Sequence, residues 1–447
     1  MELNVFIKKL FEAAKDAGFE AAEATCMSGD SFSVDVKDGN ILDYSVSSSM
    51  GLGFRALVNG KMGYASTQVL DDEALDLLIH GAAENAALIE NEDEQFIFAG
   101  SASYPEISAY NAAIDQVTAA DKIDLARRLE KACVSIDPRV KACQMVEVFS
   151  MASEKRIVNS RGLDVSFREN AMGLYAGVIA QDGEEVASGG AVRFARDPAK
   201  LDIEDAAREA VADAVAGLHA DKVQSGEYKV VLHRDVAGSI LSTFDSVFSA
   251  DMAQKGMSLL KGREGEVIGS EALTILDDPL NPASPAATPF DGEGVATSRL
   301  AIVENGKLNT LLHNLKTAKK QGVETTGNAS KPSYASPVGV APHSMQIKPS
   351  ELTRDDLLKM ADGGVFITEV QGLHSGANQI SGDFSLGARG FMIEDGKIGR
   401  PVSQITVAGN FFDLMKNVTA VANNLEFGFS STASSDLLIG KLAVAGK

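Results

Sequence analysis

The sequence predicts an α+β protein in two parts, with mostly antiparallel sheets and packed helices. Three observations support this prediction. At 447 residues, the chain is too long for a single ordinary hydrophobic core. Segments with helical spacing alternate with short β-type runs that end in turn dipeptides. The second half contains hairpin signals between long proline-containing stretches, which favours a β-rich domain of barrel-like or sandwich-like form.

The amino-terminal half begins with an amphipathic helix whose apolar residues recur at helical spacing from Leu3 to Ala14, before a stop at Gly18. Residues 21–67 then show β-type runs. The dipeptides Asp38-Gly39 and Asn59-Gly60 tolerate the positive φ angles of tight hairpins, so we expect a meander here. Further helices are predicted near 71–89, 119–135 and 203–218, with alternating strands between 140 and 194.

The carboxy-terminal half begins after a short polar stretch at residues 220–227. We therefore expect one domain over 1–222, with 1–105 and 106–222 as a further division into two intertwined subdomains, and a second domain over 223–447. A strand at 228–232 precedes a helix for which Asp235 is the expected cap. Two irregular stretches, about 270–295 and 322–350, are long enough to suggest a functional role such as lining a cleft.

Charge and composition exclude several classes of function. The formal net charge is −21, from 62 acidic and 41 basic residues, and no basic cluster is present to bind nucleic acid. No apolar run is long enough to span a bilayer, and no signal peptide is evident, so we expect no membrane partner. The three cysteines form no spaced metal-binding pair and suit the reducing cytoplasm.

The residues that carry chemistry form no complete catalytic motif. The six histidines lack the His-x-x-x-His spacing of zinc hydrolases. His233 lies between a strand and a helix, where a structural role is expected. The paired carboxylates Asp277-Asp278 and Asp291-x-Glu293 are expected to be solvated loop residues. His374 is flanked by glycines that allow close backbone approach to a ligand, although the residue pattern slightly favours a turn histidine that bonds its own loop.

A longer pattern lies near the carboxyl end. Residues 372–410 read GLHSGANQISGDFSLGARGFMIEDGKIGRPVSQITVAGN, and this run resembles the carboxy-terminal signature of the TldD/PmbA family, in particular its PmbA (TldE) branch. Shorter matches extend the resemblance along nearly the whole chain. They are Gly51-Leu52-Gly53-Phe54-Arg55, Gly60 to Ala65, Asn159-Ser160-Arg161-Gly162, Phe290 to Gly294 and Thr326-Gly327-Asn328.

The resemblance implies a cytosolic metalloprotease in which a TldD subunit pairs with a TldE/PmbA subunit to degrade or trim unfolded peptides. An older description, modulator of DNA gyrase, also attaches to the family. The catalytic subunit is expected to carry His-Glu-x-x-x-His on the helix that opens the third segment, with a cysteine ligand near the carboxyl end. Here the corresponding helix reads Ser242 to Val247, residues 235–256 contain no histidine, and no cysteine follows Cys143.

The resemblance therefore identifies a PmbA/TldE-type subunit that holds no cofactor itself, with zinc in a TldD-like partner. A homodimer in the absence of that partner is left open. We expect contacts with the peptide or the partner subunit on the glycine-rich segment, with candidate residues Gly372, His374, Asn378, Gly382, Asp383 and Ser385. Two alternatives remain. One is a standalone hydrolase that uses His374 or His313 with loop carboxylates, and the other is a regulatory protein that affects DNA gyrase.

Overall fold

A computed structural model describes residues 1–90 and 93–446. Each half of the chain has its own sheet system, and nearly all strand pairs are antiparallel. The two exceptions among the described strand pairs are both in the carboxy-terminal half. The predicted α+β class is therefore confirmed. No helix in the described part of the chain is both long and apolar enough to cross a membrane.

The amino-terminal half is one six-stranded antiparallel sheet in the order β3-β2-β1-β4-β5-β6, with helices packed on one face. Its elements are α1 (Leu3–Asp16), β1 (Ala21–Lys37), β2 (Asn40–Val58), β3 (Lys61–Thr67), α2 (Asp72–Ala87), α3 (Ala112–Asp115), α4 (Ala119–Ile136), β4 (Val140–Asn159), β5 (Asp164–Asp182), β6 (Glu185–Ala195) and α5 (Ile203–Ala216). The segments before and after residue 105 contribute strands to this same sheet.

The helices of this half lie where apolar periodicity predicts them, and the predicted hairpin turns are present. Asp38 and Asn59 have φ angles of 52° and 51°, the positive values that hairpin turns of this type require. Two cores form on the helix face. One packs α1 and α2 on Leu52 and Phe54, and the other packs α4 and α5 on the strands β1, β4 and β5.

The carboxy-terminal half contains a closed barrel. Its elements are β7 (Gly226–Leu232), α6 (Arg234–Thr243), α7 (Ala250–Gln254), β8 (Ile275–Asp277), β9 (Leu300–Glu304), β10 (Lys307–Leu308), α8 (Leu315–Gln321), β11 (Ala329–Ser330), β12 (Gly339–Val340), β13 (Met345–Ile347), α9 (Arg354–Met360), β14 (Val365–Gln371), α10 (Leu373–Gly376), β15 (Asp383–Glu394), β16 (Lys397–Asn410), α11 (Phe411–Asn417), β17 (Val418–Val421), β18 (Thr432–Ala433) and β19 (Leu437–Ala445).

Barrel closure follows from the strand order. The sheet runs β16-β15-β14-β7-β19-β17, and β16 also pairs with β19, so five of its strands form a ring. A second sheet, β10-β9-β8-β13-β18, packs beside it. Aromatic rings fill the core between α6 and α11, where Phe244 stacks on Phe411 with centroids 4.7 Å apart. This confirms the barrel-like form expected for the second half.

Two local expectations need correction around α6. The residue that caps the helix is His233, whose Nδ1 accepts a hydrogen bond from the Asp235 backbone amide at 3.4 Å, so Asp235 lies in the first turn. The apolar residues at helical spacing after Asp235, namely Val236, Ile240, Phe244, Val247 and Phe248, are all buried. The α-helix nevertheless ends at Thr243, and Val247 and Phe248 lie in a 3-10 turn, Asp245–Phe248. The hexapeptide Ser242 to Val247 therefore spans the helix end.

The long irregular stretches connect the two halves. Residues 322–350 include the short strands β11, β12 and β13 and cross the face of β2 that is opposite its helices. A Cβ atom added to Gly53 would lie 1.7 Å from the carbonyl oxygen of Tyr334, and one added to Gly51 would lie 2.2 Å from the Tyr334 ring. Glycine at these two positions of β2 is what allows the loop to lie directly on the strand.

Candidate functional site

Four of the six predicted contact residues line one open depression, which we call the His374 pocket. Its walls are formed by Leu373–Ile380, Asp383–Ser385 and Thr243, and its volume is about 950 Å³. His374 lies in the short helix α10, and its side chain, like that of Ser385, is exposed. Neither side chain makes a hydrogen bond within the described residues, so both are accessible to a ligand.

The other predicted residues shape this pocket. The Asn378 side-chain oxygen accepts hydrogen bonds from the backbone amides of Ile380 and Ser381 at 3.0 and 3.1 Å. Asn410 Nδ2 donates to Asp383 at 2.9 Å and the Ser381 hydroxyl donates at 2.8 Å, and these bonds hold the pKa of Asp383 below its usual value. Asn378 and Asp383 therefore order the loop that presents His374.

The two glycines occupy positions that other residues would strain. Gly372 and Gly382 have φ angles of +86° and +84°, in the region that residues with a Cβ rarely adopt. A Cβ on Gly382 would also lie 2.7 Å from the Phe412 ring. Gly372 and Gly382 therefore shape the pocket through their backbone conformation. Whether these six residues contact a peptide or a partner subunit stays a prediction.

A second depression, which we call the arginine cleft, lies between the two halves of the chain. Strand β6 lines it on one side through Ser188–Arg193, together with Glu209 and Asp213 of α5. Helix α6, the end of β14 and residues 426–434 line the opposite side. Its volume is about 570 Å³, which is large enough for a few residues of an extended peptide.

Arginine and carboxylate side chains alternate around this cleft. Arg389 donates to Glu369, to Asp213 at 3.0 Å and to the Ser188 carbonyl at 2.7 Å, so it joins the two halves. Arg234 Nη2 lies 2.5 Å from Glu426, while its buried Nε has no hydrogen-bond partner among the described residues. The cleft thus presents fixed charges of both signs beside the exposed side chain of Ser239.

Sequence reasoning did not identify the arginine cleft. Its arginines are Arg193, Arg234 and Arg389, which are far apart in the chain. Arg389 lies inside the run at 372–410 that resembles the family, and this position was the one feature of the sequence that could have pointed to the cleft. The helix that the resemblance associates with zinc in the catalytic subunit is α6, and four of its residues face this cleft: Arg234, Asp235, Gly238 and Ser239.

Three of the four paired loop carboxylates are buried, which contradicts the expectation that they are solvated. The fourth, Asp278, is partly buried and lies 3.5 Å from Arg299. Asp277, Asp291 and Glu293 are 1%, 0% and 4% exposed. Backbone amides satisfy Asp277 and Asp291, at 2.6 Å from Ser344 to Asp277 and at 3.0 Å from Ala329 to Asp291. Hydrogen bonds from these backbone amides replace the bonds that Asp277 and Asp291 would make to water, so the two carboxylates can be buried without a large cost. The same bonds fix the conformation of the loops.

Glu293 belongs to a buried charge cluster between the halves, which we call the Arg55 cluster. Arg55 donates to Glu23 at 2.7 Å and lies 3.4 Å from Glu293, and Lys155 and Lys331 lie nearby. Burial raises the pKa of Glu293 to about 7 and lowers the pKa of Lys331 to about 8. The Arg55 Nη2 atom is buried with no hydrogen-bond partner among the described residues.

The second candidate histidine, His313, is not accessible. Its side chain is 1% exposed, and burial lowers its pKa. The Thr325 and Thr326 hydroxyls donate to its backbone carbonyl at 3.1 and 3.2 Å, so it forms part of the loop core. A peptide could reach His313 only after the surrounding loops had opened, which argues against a standalone hydrolase based on this residue.

The residues at α6 do not suit a catalytic metal. No group of three or more His, Cys, Asp or Glu side chains with metal-binding geometry occurs in residues 1–90 and 93–446. His233 lies just before the histidine-free stretch, but its Nδ1 caps α6 and lies 3.3 Å from Asp235. The Arg234 guanidinium lines the cleft next to it, and a fixed cation there opposes a divalent metal ion.

The fold and the two depressions define a two-part α+β protein in which a barrel domain and a sheet domain enclose a polar cleft. Three family models of the PmbA/TldA metallopeptidases match the chain: domain 1 over residues 22–86, the central domain over 113–218 and the C-terminal domain over 225–446. The chain belongs to the PmbA/TldA metallopeptidase family.

Individual relatives match this chain along nearly its whole length. A metalloprotease PmbA homolog from Haemophilus influenzae is 29% identical and is covered over 96% of its length by the whole of this chain. A crystal structure from Thermotoga maritima, described as a proposed modulator of a DNA gyrase, superimposes with a TM-score of 0.92 at 33% identity, covering 99% of this chain and 100% of that one.

A third comparison shows likeness of fold alone. The structure of TldE from Thermococcus kodakarensis superimposes with a TM-score of 0.90 at 22% identity, covering 99% of this chain and 100% of that one. The family models and the relatives from Haemophilus influenzae and Thermotoga maritima confirm the resemblance of this sequence to the family.

Proposed function

We propose that this chain is the PmbA/TldE-type subunit of a cytoplasmic metalloprotease that degrades or trims unfolded peptides. It does not cleave peptides alone, and it pairs with a TldD-like subunit that holds the zinc ion. One observation carries the proposal. Helix α6 lines the arginine cleft with Arg234, Asp235, Gly238 and Ser239, a set that can contact a peptide but lacks the ligands to bind a metal and activate water.

The cleft residues suit an extended polypeptide. The cleft is lined by charges of both signs, by a serine hydroxyl and by the Phe429 ring. Peptides of different sequence can therefore bind there, because their backbone and side-chain groups can each contact one of these groups. Arg389 and Asp213 occupy backbone groups on the outer edge of β6. These contacts oppose strand addition at Ser188 and Gly190, so a peptide there is held by side chains of the cleft.

The test compares the purified chain alone, a TldD-like subunit from the same cell alone, and the two mixed. Zinc content is measured by mass spectrometry, and cleavage is followed with casein and with an unstructured peptide. We expect no stoichiometric zinc and no cleavage from this chain alone, and chelator-sensitive cleavage from the mixture that exceeds that of the TldD-like subunit. Stoichiometric zinc or cleavage by this chain alone would instead establish a standalone hydrolase.

A parallel assay tests the alternative that this chain regulates DNA gyrase. The Thermotoga maritima relative is described as a proposed gyrase modulator, so a supercoiling assay with purified gyrase is run beside the cleavage assay. Inhibition of gyrase by this chain alone, with no peptide cleavage by the mixture, would replace the proposed function with direct regulation.

A further inference from the structure

A strap from the carboxy-terminal half reaches the sheet of the amino-terminal half. It comprises residues 423–431, between β17 and β18. Its Phe429 ring lies against two rings of the sheet, 4.6 Å from Phe149 on β4 and 5.4 Å from Phe194 on β6, measured between ring centroids. Gly173 lies between these two residues on β5 and pairs with both. We call the recess formed by Phe149, Gly173 and Phe194 the phenylalanine slot.

The glycine at position 173 creates this slot. A Cβ atom there would lie 2.2 Å from the Phe149 ring and 2.7 Å from the Phe429 ring, so a larger residue would displace at least one ring. The next residue, Leu174, is buried in the core beneath the helices. Because successive side chains of a strand point to opposite faces, the slot opens on the face of the sheet away from the helices, and strands hold its walls in place.

The slot is continuous with the arginine cleft. Tyr175 on β5 and Val192 on β6 pair with each other and line that cleft, as Phe429 does. They lie two residues along their strands from Gly173 and Phe194. Residues two apart share a face of the sheet and are about 6.6 Å apart, which is also the spacing of alternate side chains in an extended peptide. A peptide in the cleft can therefore place one side chain in the slot.

Few contacts hold the strap against the sheet. Within the described chain, the backbone of residues 425–431 is paired only at the bridge between Glu426 and Ser434. Phe429 remains 40% exposed in the slot. Residues 425–427 also border a second depression, of about 720 Å³, into which the strap can shift. Segments with few hydrogen bonds and few buried contacts open at a low cost in free energy, so the ring can leave the slot.

We propose that the phenylalanine slot is a specificity subsite for an aromatic or large apolar side chain of the peptide, and that Phe429 occupies it when no peptide is bound. The slot itself indicates the occupant, because it already holds a phenyl ring against two others at separations that aromatic pairs favour. Large apolar side chains are mostly buried in folded proteins, so this subsite selects unfolded chains. The inference rests on the proposed function and narrows its substrate class.

Phe429 and the peptide side chain compete for the slot in this arrangement. The apparent affinity for the peptide is reduced in proportion to the fraction of chains whose slot is empty. Removing the Phe429 ring should therefore strengthen the binding of a peptide that uses the slot. If Phe429 were only a contact residue of the cleft, its removal would weaken binding. The sign of the effect separates the two roles.

The experiment measures peptide binding to the purified full chain by fluorescence anisotropy, which requires no cleavage. The probes are two dye-labelled, unstructured peptides rich in glycine, serine and asparagine that differ only at one central residue, phenylalanine or alanine. We expect the phenylalanine peptide to bind about tenfold more tightly than the alanine peptide. Phe429→Ala should tighten binding of the phenylalanine peptide by about threefold or more, and should not tighten binding of the alanine peptide.

Variants of the slot test its role in this preference. Gly173→Val fills the slot and should make the two peptides bind equally. Phe194→Ala removes one wall and should reduce the preference, and it carries the test if Gly173→Val does not fold. The control is Val186→Ala on β6, which lies outside the lining of the cleft with a side chain that is 61% exposed. It should leave both dissociation constants unchanged, and circular dichroism verifies that each variant folds.

A single tryptophan reports the position of the strap. The chain contains no tryptophan, so Phe429→Trp places the only indole of the protein at this position. Addition of the phenylalanine peptide should shift the emission to longer wavelength, because the indole moves from the slot into water. The alanine peptide should leave the emission unchanged.

Three results would overturn the inference. These are no difference in binding between the two peptides, weaker binding of the phenylalanine peptide to Phe429→Ala, or a preference that the slot variants leave intact. Failure of the subsite and failure of the proposed function are distinguishable. Cleavage by the reconstituted mixture without slot-dependent binding would leave the proposed function standing, and slot-dependent binding without cleavage by the mixture would do the reverse.

Discussion

Arg55 on β2 and Glu293 in the carboxy-terminal half lie 3.4 Å apart and are both almost fully buried. They are separated by 238 residues in sequence, so their ion pair forms only when the halves pack together. Glu23, at 2.7 Å from the same guanidinium, completes a buried triad. The contact between the halves therefore depends on a charge cluster whose members are costly to bury singly.

Removing the cation from this cluster should destabilise the chain strongly. Arg55→Met leaves Glu23 and Glu293 buried without a counter-ion, and we expect a loss of about 3–5 kcal/mol in the free energy of unfolding. The measurement is urea denaturation followed by circular dichroism. The triple variant that adds Glu23→Gln and Glu293→Gln should recover part of the loss. If Arg55→Met matched the parent midpoint, the cluster would not hold the halves together.

The loop that crosses β2 should be sensitive to one methyl group. Gly53→Ala places a Cβ atom 1.7 Å from the Tyr334 carbonyl oxygen, and we expect about 2 kcal/mol of destabilisation or displacement of the loop. Limited proteolysis should then cleave residues 322–350 faster. Gly29→Ala on the neighbouring strand is the control, because its nearest contact would be an ordinary 3.5 Å. Equal cleavage rates in the two variants would contradict this packing.

Asp245 should make stability depend on pH. Burial raises its pKa from 3.8 to about 6, so the folded state holds a proton that the unfolded state releases, and stability falls as pH rises from about 4 to 6. Asp245→Asn removes this dependence, so its free energy of unfolding relative to the parent should be about 2 kcal/mol higher at pH 7 than at pH 4. Thermal melts of the parent and of Asp245→Asn between pH 4 and pH 7 test this prediction. Parallel pH profiles of stability for the two proteins would refute it.

Two positions on α6 distinguish the two depressions. Ser239 faces the arginine cleft and Thr243 borders the His374 pocket. If the peptide occupies the arginine cleft, Ser239→Trp should lower cleavage by the reconstituted pair about tenfold, because the indole fills the cleft, while Thr243→Trp should have little effect. The opposite ranking would place the peptide at the His374 pocket.

Substitutions at Asn378 and His374 in the His374 pocket should have different effects, the first on stability and the second on subunit pairing or peptide cleavage. Asn378→Ala removes the acceptor for two backbone amides and should cost about 1 kcal/mol of stability. His374→Ala leaves stability unchanged, because the side chain is exposed, but should weaken subunit pairing or peptide cleavage. Pairing is measured by calorimetric titration. The predicted role of this segment fails if both substitutions leave pairing and cleavage unaltered.

Local patterns in the sequence predicted much of the fold. Helical spacing located α1, α2, α4 and α5, and the Asp38-Gly39 and Asn59-Gly60 dipeptides marked hairpins that the structure confirms. These features depend on neighbours a few residues apart, so periodicity and turn chemistry reveal them. The long matched run at 372–410 indicated the family for a related reason, since it is a contiguous pattern.

Only the tertiary structure decided which charged residues are buried and where the clefts lie. The sequence marked Asp291 and Glu293 as ordinary loop acids, whereas packing of the loops on β2 places them beside Arg55 and Lys155. Likewise, Arg193, Arg234 and Arg389 meet at one cleft because β6, α6 and β15 converge there. Burial and convergence arise from contacts between distant segments, and no local period or propensity encodes them.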